Sequence, residues 1–274
     1  MPKSLLAVLA HPDDESLGVG GTLAKYASEG VEVSLLTATR GDGGRFRGHP
    51  AGDPRHPGPV ALASIRETEL RAAAAVLGVR DVALLDYRDQ HLDRANAREA
   101  VADIVPHLRR VRPDVVVTFG PDGAYGHPDH VAISQFATAA TVAAADSAFA
   151  LDAAESIREP HTVSKLCYIA WPATTWAAYA SAMKRLVATV DGVQRQATAW
   201  PDWAITTLID TRRFWPTVWR AVSCHESQMA AYERLKDVSP EHHEATTAPR
   251  TRAGFARSRC GWRCATPARR RTGG

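Results

Sequence analysis

The chain has 274 residues, enough for one large α/β domain or two small ones. Hydrophobic residues make up 45% and charged residues 23%, which is ordinary for a globular protein, and no apolar run is long enough for a signal peptide or a membrane span. We therefore expect a cytoplasmic protein, and four irregularly spaced cysteines argue against a disulfide framework.

The net charge of +3 is unevenly distributed along the chain. Residues 245–274 contain eight arginines and neither acids nor lysines, which leaves 25 basic against 30 acidic residues elsewhere. An interaction with nucleic acid is therefore conceivable only for this tail and is not expected of the folded domain. We predict one domain over residues 1–240 and a disordered, Arg-rich tail over residues 245–274, whose role the sequence leaves open.

Strand-like and helix-like segments alternate in the first half. In chain order the predictions are a strand over 5–10, a helix over 20–29, a strand over 31–38, a helix ending at Gly78, a strand over 81–87, a helix spanning 101–108 and a strand over 114–120. Residues 41–59 are rich in Gly and Pro and predict a long loop that covers a site. Four strands with helical crossovers predict an open, mostly parallel α/β sheet with helices on both faces.

The second half is less regular. Residues 165–172 and 203–210 are predicted as strands, and residues 214–232 as a helix. Six of the seven tryptophans fall between Trp171 and Trp219. We expect most of them in the core and a minority in an apolar wall against which a sugar ring could stack.

Charged clusters follow the first and the fourth predicted strands. They are AHPDDE at residues 10–15 and YGHPDH at residues 125–130. Open parallel sheets bind ligands beyond the carboxyl ends of their strands, and strands distant in sequence can end side by side there. We therefore expect the two clusters to meet.

His11, Asp14 and His130 together have the chemistry of a divalent-metal site. Two imidazoles and one carboxylate suit Zn²⁺, with Fe²⁺ or another divalent metal as the alternative. Three protein ligands leave a position for water and substrate, as in catalytic sites. A metal in such a site lowers the pKa of bound water to ~7 and polarises a carbonyl group.

Two neighbouring residues are candidates for proton chemistry. Asp13 adjoins Asp14, and because adjacent side chains diverge, it can face the cavity as a general base. His127 is a candidate protonated donor to a developing oxyanion, with Asp129 orienting it.

Each motif alone has a simpler interpretation. The acids of HPDDE could cap a helix that begins near Ser16, and HPDH could be a turn. The occurrence of both motifs, each after a predicted interior strand, favours the metal site. Cys260 and Cys264 are too isolated to indicate a second one.

Five motifs resemble those of the PIG-L/LmbE-like N-deacetylases, a family that includes the mycothiol-biosynthesis N-acetylglucosaminyl-inositol deacetylase and the mycothiol conjugate amidase. They are AHPDDE at 10–15, TRGDGG at 39–44, RETEL at 66–70, YGHPDH at 125–130 and CHESQ at 224–228. The resemblance runs from about residue 4 to about residue 232, and the first and fourth motifs together are the most specific. One departure is Asp42, where the family more usually has Glu.

The resemblance implies a Rossmann-like fold and a Zn²⁺-dependent hydrolase that removes the acetyl group from an N-acetylglucosamine-containing substrate, using a water molecule that the metal activates. By motif it implies His11, Asp14 and His130 as metal ligands, Asp13 as general base and then acid, His127 with Asp129 as oxyanion stabiliser, Tyr125 as a mobile tyrosine touching the tetrahedral intermediate, and Arg66 and Asp89 as contacts to sugar hydroxyls.

Other functions stay open at this point. One is an amidase acting on a larger amide conjugate, and another is a non-catalytic sugar-binding module on the same fold. A complete set of general base and metal ligands argues against the binding module, because a binder needs no base. The expected partner is a small N-acetylated amino sugar, while its aglycone, the native metal and the oligomeric state are left open.

Overall fold

A five-stranded, all-parallel sheet forms the centre of the protein, with strand order β3-β2-β1-β4-β5. The computed structural model describes residues 3–149, 159–173, 177, 187–190, 192–196 and 199–232. The strands are β1 (Ser4–Leu9), β2 (Glu32–Thr39), β3 (Asp81–Tyr87), β4 (Val115–Phe119) and β5 (Lys165–Ile169). The predicted α/β fold is thereby confirmed, whereas the predicted disorder of residues 245–274 concerns a segment outside the described residues.

Helices of two groups pack on this sheet. They are α1 (Asp14–Leu17), α2 (Gly20–Ser28), α3 (Pro59–Leu77), α4 (Ala97–Val111), the short α5 (Gly123–Gly126), α6 (Pro128–Ala145), α7 (Trp215–Cys224) and α8 (Met229–Tyr232). Helices α2 and α3 pack with α7, and α4 packs with α6. Right-handed crossovers place these two groups on opposite faces of the sheet. None of the helices in the described ranges is long and apolar enough to cross a membrane.

The interior strands owe their position to apolar side chains on both faces. Every residue of β4 is buried, as are Leu5 to Leu9 in β1, which is the pattern of a strand covered by helices on two sides. Helices supply the cover; α4, for example, buries Val101, Ile104, Val105 and Leu108 on one face. The largest fully buried side chains include Leu6, Leu9, Leu35, Leu36, Leu70, Leu77, Ile104, Leu108 and Ile133.

The order in which strands are added to the sheet reverses at β1. From β1, the strands β2 and β3 are added on one side, and β4 and β5 are then added on the other side. Strands β1 and β4 are therefore neighbours, with Leu5 paired to Val115. This is the topological switch point of an open α/β sheet, where the ends of the two strands leave a crevice. The two charged clusters therefore leave the sheet side by side.

Two predictions for the second half were wrong or incomplete, and one element was not predicted. Residues 203–210 form no strand: a 3-10 turn covers Asp202–Ala204 and the rest is irregular. The helix predicted over 214–232 is two helices, α7 and α8, separated by a turn. An antiparallel hairpin of β6 (Val187–Val190) and β7 (Val193–Gln196) was not predicted, although the Asp-Gly pair at 191–192 is a typical hairpin signal.

Candidate active site

The two clusters meet beyond the carboxyl ends of β1 and β4. His11 Nδ1 lies 3.2 Å from His130 Nε2, although the residues are 119 positions apart. Asp14 completes the group, with one carboxylate oxygen 3.6 Å from His11 Nδ1 and the other 3.4 Å from His130 Nε2. All three residues are buried, so three potential ligands converge in a place with little access to bulk water.

Asp14 is held as an ionised carboxylate. Its Oδ2 accepts hydrogen bonds from the backbone N–H groups of Ala10 (3.2 Å) and His11 (2.8 Å). Burial alone raises the pKa of Asp14, but the neighbouring His130 and His11 rings outweigh burial and bring the pKa well below its usual value. A negative charge is therefore fixed beside the two imidazoles.

His11 has its two ring nitrogens in different surroundings. Its Nε2 lies 3.1 Å from carboxylate oxygens of both Asp129 and Asp89, which keep a proton on that nitrogen. Burial lowers the pKa of His11, but the carboxylates of Asp129, Asp14 and Asp89 outweigh burial and raise it well above its usual value. The surroundings favour a positive charge at this position, and Nδ1 is the nitrogen that faces His130.

The ring of His130 is fixed by stacking. Phe119, the last residue of β4, lies parallel to it with 3.9 Å between ring centroids and 8° between planes. This contact fixes the plane of the ring, whose Nε2 lies towards His11 and Asp14. Its Nδ1 is buried and has no hydrogen-bond partner among the described residues.

Asp13 occupies the N-cap position of α1 without capping it. Its backbone φ is +109°, a strained value for a residue with a side chain, and its side chain makes no cap hydrogen bond. The carboxylate Oδ2 instead accepts a hydrogen bond from Tyr232 Oη (2.9 Å) and lies 3.2 Å from Arg66 Nη2. Burial raises the pKa of Asp13 against the opposing charge of Arg66, so the carboxyl titrates nearer to neutrality than an exposed one.

The surroundings of His127 favour its neutral form, while its predicted role as donor to the oxyanion stays a prediction. It caps α6, where its Nδ1 accepts the backbone N–H of Asp129 at 3.2 Å. Burial and the nearby His11 and His130 rings lower the pKa of His127 to about 4. Because Nδ1 is an acceptor, the single proton of the neutral ring resides on Nε2, so the residue still offers an N–H donor.

Asp129 contacts His127 through its backbone rather than through its carboxylate. The carboxylate accepts the backbone N–H groups of Gln90 (2.7 Å) and Leu92 (3.0 Å) and lies against His11. The orienting contact predicted from the sequence therefore runs through the main chain, and the Asp129 carboxylate orients His11 instead.

Tyr125 lies on the irregular turn between β4 and α6. Positive φ values at Gly123 (+59°), Ala124 (+65°) and Gly126 (+77°) characterise this turn. The Tyr125 ring meets those of His127 and His130 edge-on, with centroids 5.8 and 5.4 Å apart. Burial raises the pKa of Tyr125 well above its usual value, so its hydroxyl stays protonated.

Arg66 and Asp89, the predicted sugar contacts, mainly hold other site residues. Arg66 is only 4% exposed, and its guanidinium donates to the carbonyls of Pro12 and Gly41 and pairs with Asp13. A Cβ at Gly41 would overlap that guanidinium, which explains the glycine there. Asp89 accepts the N–H of Gly43 at 3.1 Å besides contacting His11.

A cavity of about 250 Å³ opens over these groups. Its polar lining includes His11, Asp13, Asp14, Arg66, Asp89, His127, His130, Gln90 and Gln228, and its aromatic lining is Phe119, Tyr125, Trp171 and Tyr232. Among the tryptophans that the structure describes, Trp171 is the one that lines the cavity. The size suits a small polar molecule with one apolar side.

A metal ion could be held by more than one set of donors here. Ligand atoms of His11, His127 and His130 all lie within 4.8 Å of one another, and so do those of His11, Asp89 and Asp129. The second set is less suited to a metal, because both oxygens of the Asp129 carboxylate accept backbone N–H groups, whereas the two on Asp14 share Oδ2 and leave Oδ1 free of them. His127 is therefore the main competitor of Asp14 as the third ligand.

The sequence did not indicate a second group of residues, whose hydrogen bonds and ion pairs hold the segments that carry the site residues. Glu15 is fully buried; its Oε2 accepts the backbone N–H of Asp13 (2.9 Å) and its Oε1 lies 2.7 Å from His225 Nε2. Ser227 donates twice to Glu69, each time at 2.7 Å. The only sequence signal for these contacts is the motif CHESQ. It matches the family, but it does not indicate which residues it contacts.

An open parallel α/β sheet with a histidine and carboxylate group at its switch point defines a Rossmann-like protein with a site that could hold a metal. The sequence profile of the family described as PIG-L, GlcNAc-PI de-N-acetylase, matches residues 6–141. A 1D-myo-inositol 2-acetamido-2-deoxy-alpha-D-glucopyranoside deacetylase of Rhodococcus jostii is 35% identical over 83% of this chain and 82% of its own length. The chain therefore belongs to the PIG-L family, and the resemblance carried by its motifs is confirmed.

Two further comparisons complete this picture. Deacetylase 2 of the same description from Catenulispora acidiphila is 38% identical over 62% of this chain, and the match covers 61% of the relative's length. An N,N'-diacetylchitobiose deacetylase from Pyrococcus horikoshii superposes with a TM-score of 0.63 at 23% identity, covering 86% of this chain and 74% of the other. The latter likeness establishes the shared fold.

Proposed function

We propose that this protein is a metal-dependent hydrolase that removes the acetyl group from an N-acetylglucosamine-containing compound. The observation that supports this most strongly is the convergence of His11 Nδ1, His130 Nε2 and the Asp14 carboxylate within 3.2–3.6 Å, beside a carboxylate, Asp13, that faces the cavity. The relatives whose names describe deacetylation of such a compound support the same reaction.

The residues present fit a divalent cation. Two imidazole nitrogens that face each other at 3.2 Å need a proton or a cation between them, and the Asp14 charge beside them favours either. Because Asp129 and Asp89 hold the proton of His11 on Nε2, its Nδ1 is available as a ligand. We therefore assign His11, Asp14 and His130 as ligands, with Zn²⁺ as the ion that this donor set suits best.

Once bound, the metal would acidify a water molecule and polarise the acetyl carbonyl. Asp13 takes the proton of the attacking water, because it lines the cavity and burial raises its pKa, which makes the carboxylate a better proton acceptor. The same carboxyl group then returns the proton to the departing amine. His127 donates its Nε2–H to the developing oxyanion as a neutral imidazole.

The substrate class follows from the cavity and from the relatives. About 250 Å³ accommodates an acetamido group with its sugar ring, and Trp171 offers an apolar face for ring stacking. The names of the relatives from Rhodococcus and Catenulispora describe a glucosaminyl-inositol compound as their substrate.

The experiment is an amine-release assay on metal-replete protein. We expect release from an N-acetylglucosaminyl-inositol, loss of release after chelation, and its return when Zn²⁺ is added back. A cysteinyl amide conjugate, tested in parallel, examines the alternative of a larger-amide hydrolase. Metal-replete protein that is inert towards every acetamido sugar would contradict the proposal, and faster cleavage of the cysteinyl amide would favour the alternative.

A further inference from the structure

Tyr232 reaches Asp13, the proposed general base, from the far end of the described chain. Its hydroxyl donates to Asp13 Oδ2 at 2.9 Å, across 219 positions of sequence. Arg66 Nη2 approaches the same oxygen at 3.2 Å. One carboxylate oxygen of Asp13 therefore has a hydrogen-bond donor and a cation beside it, and Asp13 and Tyr232 both line the cavity.

The backbone of Asp13 is strained but held by hydrogen bonds. Its φ of +109° is unfavourable for a residue with a side chain; its N–H donates to Glu15 Oε2 (2.9 Å), and its carbonyl accepts the N–H groups of Ser16 (3.1 Å) and Leu17 (3.0 Å). These bonds fix the main chain, whereas the direction of the carboxylate is set by its side-chain partners. Arg66 supplies the charge and Tyr232 supplies a short, directional donor.

The segment that carries Tyr232 is itself anchored. We call residues 225–232 the closing segment. His225 pairs with the buried Glu15 at 2.7 Å, Ser227 donates twice to Glu69, and Gln228 donates to the carbonyl of Arg45 at 2.8 Å. These contacts tie the closing segment to α1, α3 and the loop after β2. They place the phenol at one position relative to Asp13.

The phenol also stays a donor at working pH. Burial raises the pKa of Tyr232 well above its usual value, and the adjacent Asp13 carboxylate raises it further. A protonated hydroxyl beside a carboxylate has one role open to it, that of hydrogen-bond donor.

We propose that Tyr232 is a positioning residue that holds the carboxylate of Asp13 in the orientation needed for proton transfer. The inference rests on the proposed function, in which Asp13 is the general base. It adds a residue from the closing segment to the catalytic arrangement and explains why CHESQ and the turn that follows α7 lie so close to the cavity.

The test compares Y232F with a matched control, Y87F. Tyr87 also donates its hydroxyl to a carboxylate, that of Asp103, but lies on β3 away from the cavity lining. We expect Y232F to lower kcat for amine release about 10- to 100-fold, with KM within about twofold and bound metal unchanged. The reason is that the Asp13 carboxylate loses its orientation for proton transfer, whereas the contacts that bind substrate and metal remain. Y87F should leave kcat, KM and metal content as in the wild type.

Several outcomes would overturn the inference. An active wild type whose Y232F variant retains full kcat would remove Tyr232 from the arrangement while leaving the proposed function intact. A fall in kcat matched by loss of metal or of the folded fraction in thermal unfolding would give Tyr232 a purely structural role. A wild type that is inert towards all acetamido sugars would instead contradict the proposed function itself.

Discussion

Asp13 and Asp14 are neighbours in sequence yet differ in every property that matters for catalysis. Asp14 turns towards two imidazoles, accepts two backbone hydrogen bonds and has a lowered pKa. Asp13 turns towards the cavity, contacts Arg66 and Tyr232 and has a raised pKa. Two carboxyl groups whose surroundings separate their pKa values take separate roles, one as ligand and the other as base.

Replacing the proposed base tests this division. In D13N the amide keeps the size of the side chain but cannot accept a proton, so kcat should fall by about 10²- to 10⁴-fold while metal content stays at the wild-type level. D86N is the matched control, because Asp86 is exposed on β3 and pairs with Arg40. Amine release at saturating substrate is the measurement, and wild-type rates for D13N would exclude Asp13 as the base.

The sequence could predict those residues that lie in a motif on the segment following an interior strand. His11, Asp14 and His130 follow β1 and β4, so the spacing of motifs and strands was sufficient to bring them together. The role of Tyr232 could not be predicted, because its partner Asp13 lies 219 positions away and Tyr232 does not follow the end of a strand. The lowered pKa of His127 was equally hidden, since it depends on burial and on two neighbouring rings.

At the scale of elements, a buried ion pair joins the two ends of the described chain. Glu15 of α1 and His225, which follows α7, are both 0% exposed and lie 2.7 Å apart. Burial raises the pKa of Glu15, but the charge of His225 outweighs burial, so the pKa of Glu15 is lowered. Burial lowers the pKa of His225, but the charge of Glu15 outweighs burial, so the pKa of His225 is raised. Each partner thus keeps the other charged, and the pair fixes the turn that carries Asp13 and Asp14.

Removing one partner should destabilise the fold markedly. H225A leaves the Glu15 carboxylate buried without its cation, and we expect a loss of about 3–5 kcal/mol in the free energy of unfolding. The control is E29A, which breaks the surface pair of Lys25 and Glu29 on α2 and should cost less than about 1 kcal/mol. Urea unfolding measures both, and equal losses in the two variants would contradict a stabilising buried pair.

The same pair predicts a pH dependence of stability. Because the pKa of His225 is raised, its contribution to the free energy of unfolding is fully present below pH 6.5, its ordinary pKa. This contribution is lost as the pH rises through the raised pKa. The lowered pKa of Glu15 makes its contribution present above its ordinary value of 4.5 and lost as the pH falls through the lowered value. The unfolding free-energy difference between wild type and H225A should therefore be larger at about pH 5.5 than at about pH 9. A difference that does not change with pH would refute the charged pair.

Elements were predictable where burial and periodicity agreed. The interior strands β1 and β4 are apolar on both faces and could be recognised from composition alone. Residues 203–210 have the composition of a strand but remain irregular, because no strand-pairing partner is placed beside them within the described residues. The predicted helix over 214–232 is interrupted where His225 and Ser227 bond to Glu15 and Glu69, so tertiary contacts override local propensity.

At the scale of the whole molecule, charge divides the chain into two regions. The Arg-rich residues 245–274 follow a body with more acidic than basic residues. We expect a variant lacking residues 245–274 to keep the bound metal and the amine-release rate of the full chain. Any binding of the full chain to nucleic acid should disappear in that variant and fall steeply with salt. Loss of activity on truncation would show that the domain prediction over residues 1–240 was too short.

The order of the strands is what turns two separate motifs into one site. Because β1 and β4 are neighbours at the switch point, the segments after them share a crevice although 119 positions separate His11 from His130. The sequence predicted the parallel sheet, and the meeting of the clusters followed from it. The contribution of the closing segment could not be predicted, since it depends on packing of α7 against α2 and α3.

Metal content of single-histidine variants tests the central claim most directly. Purified wild type, H11A, H130A and H127A would be analysed for zinc after identical dialysis, with thermal unfolding as a check of folding. We predict about one zinc per chain in the wild type and in H127A, and almost none in folded H11A or H130A. Full zinc in H130A, or its loss in H127A alone, would contradict the assignment of His11, Asp14 and His130 as the metal ligands.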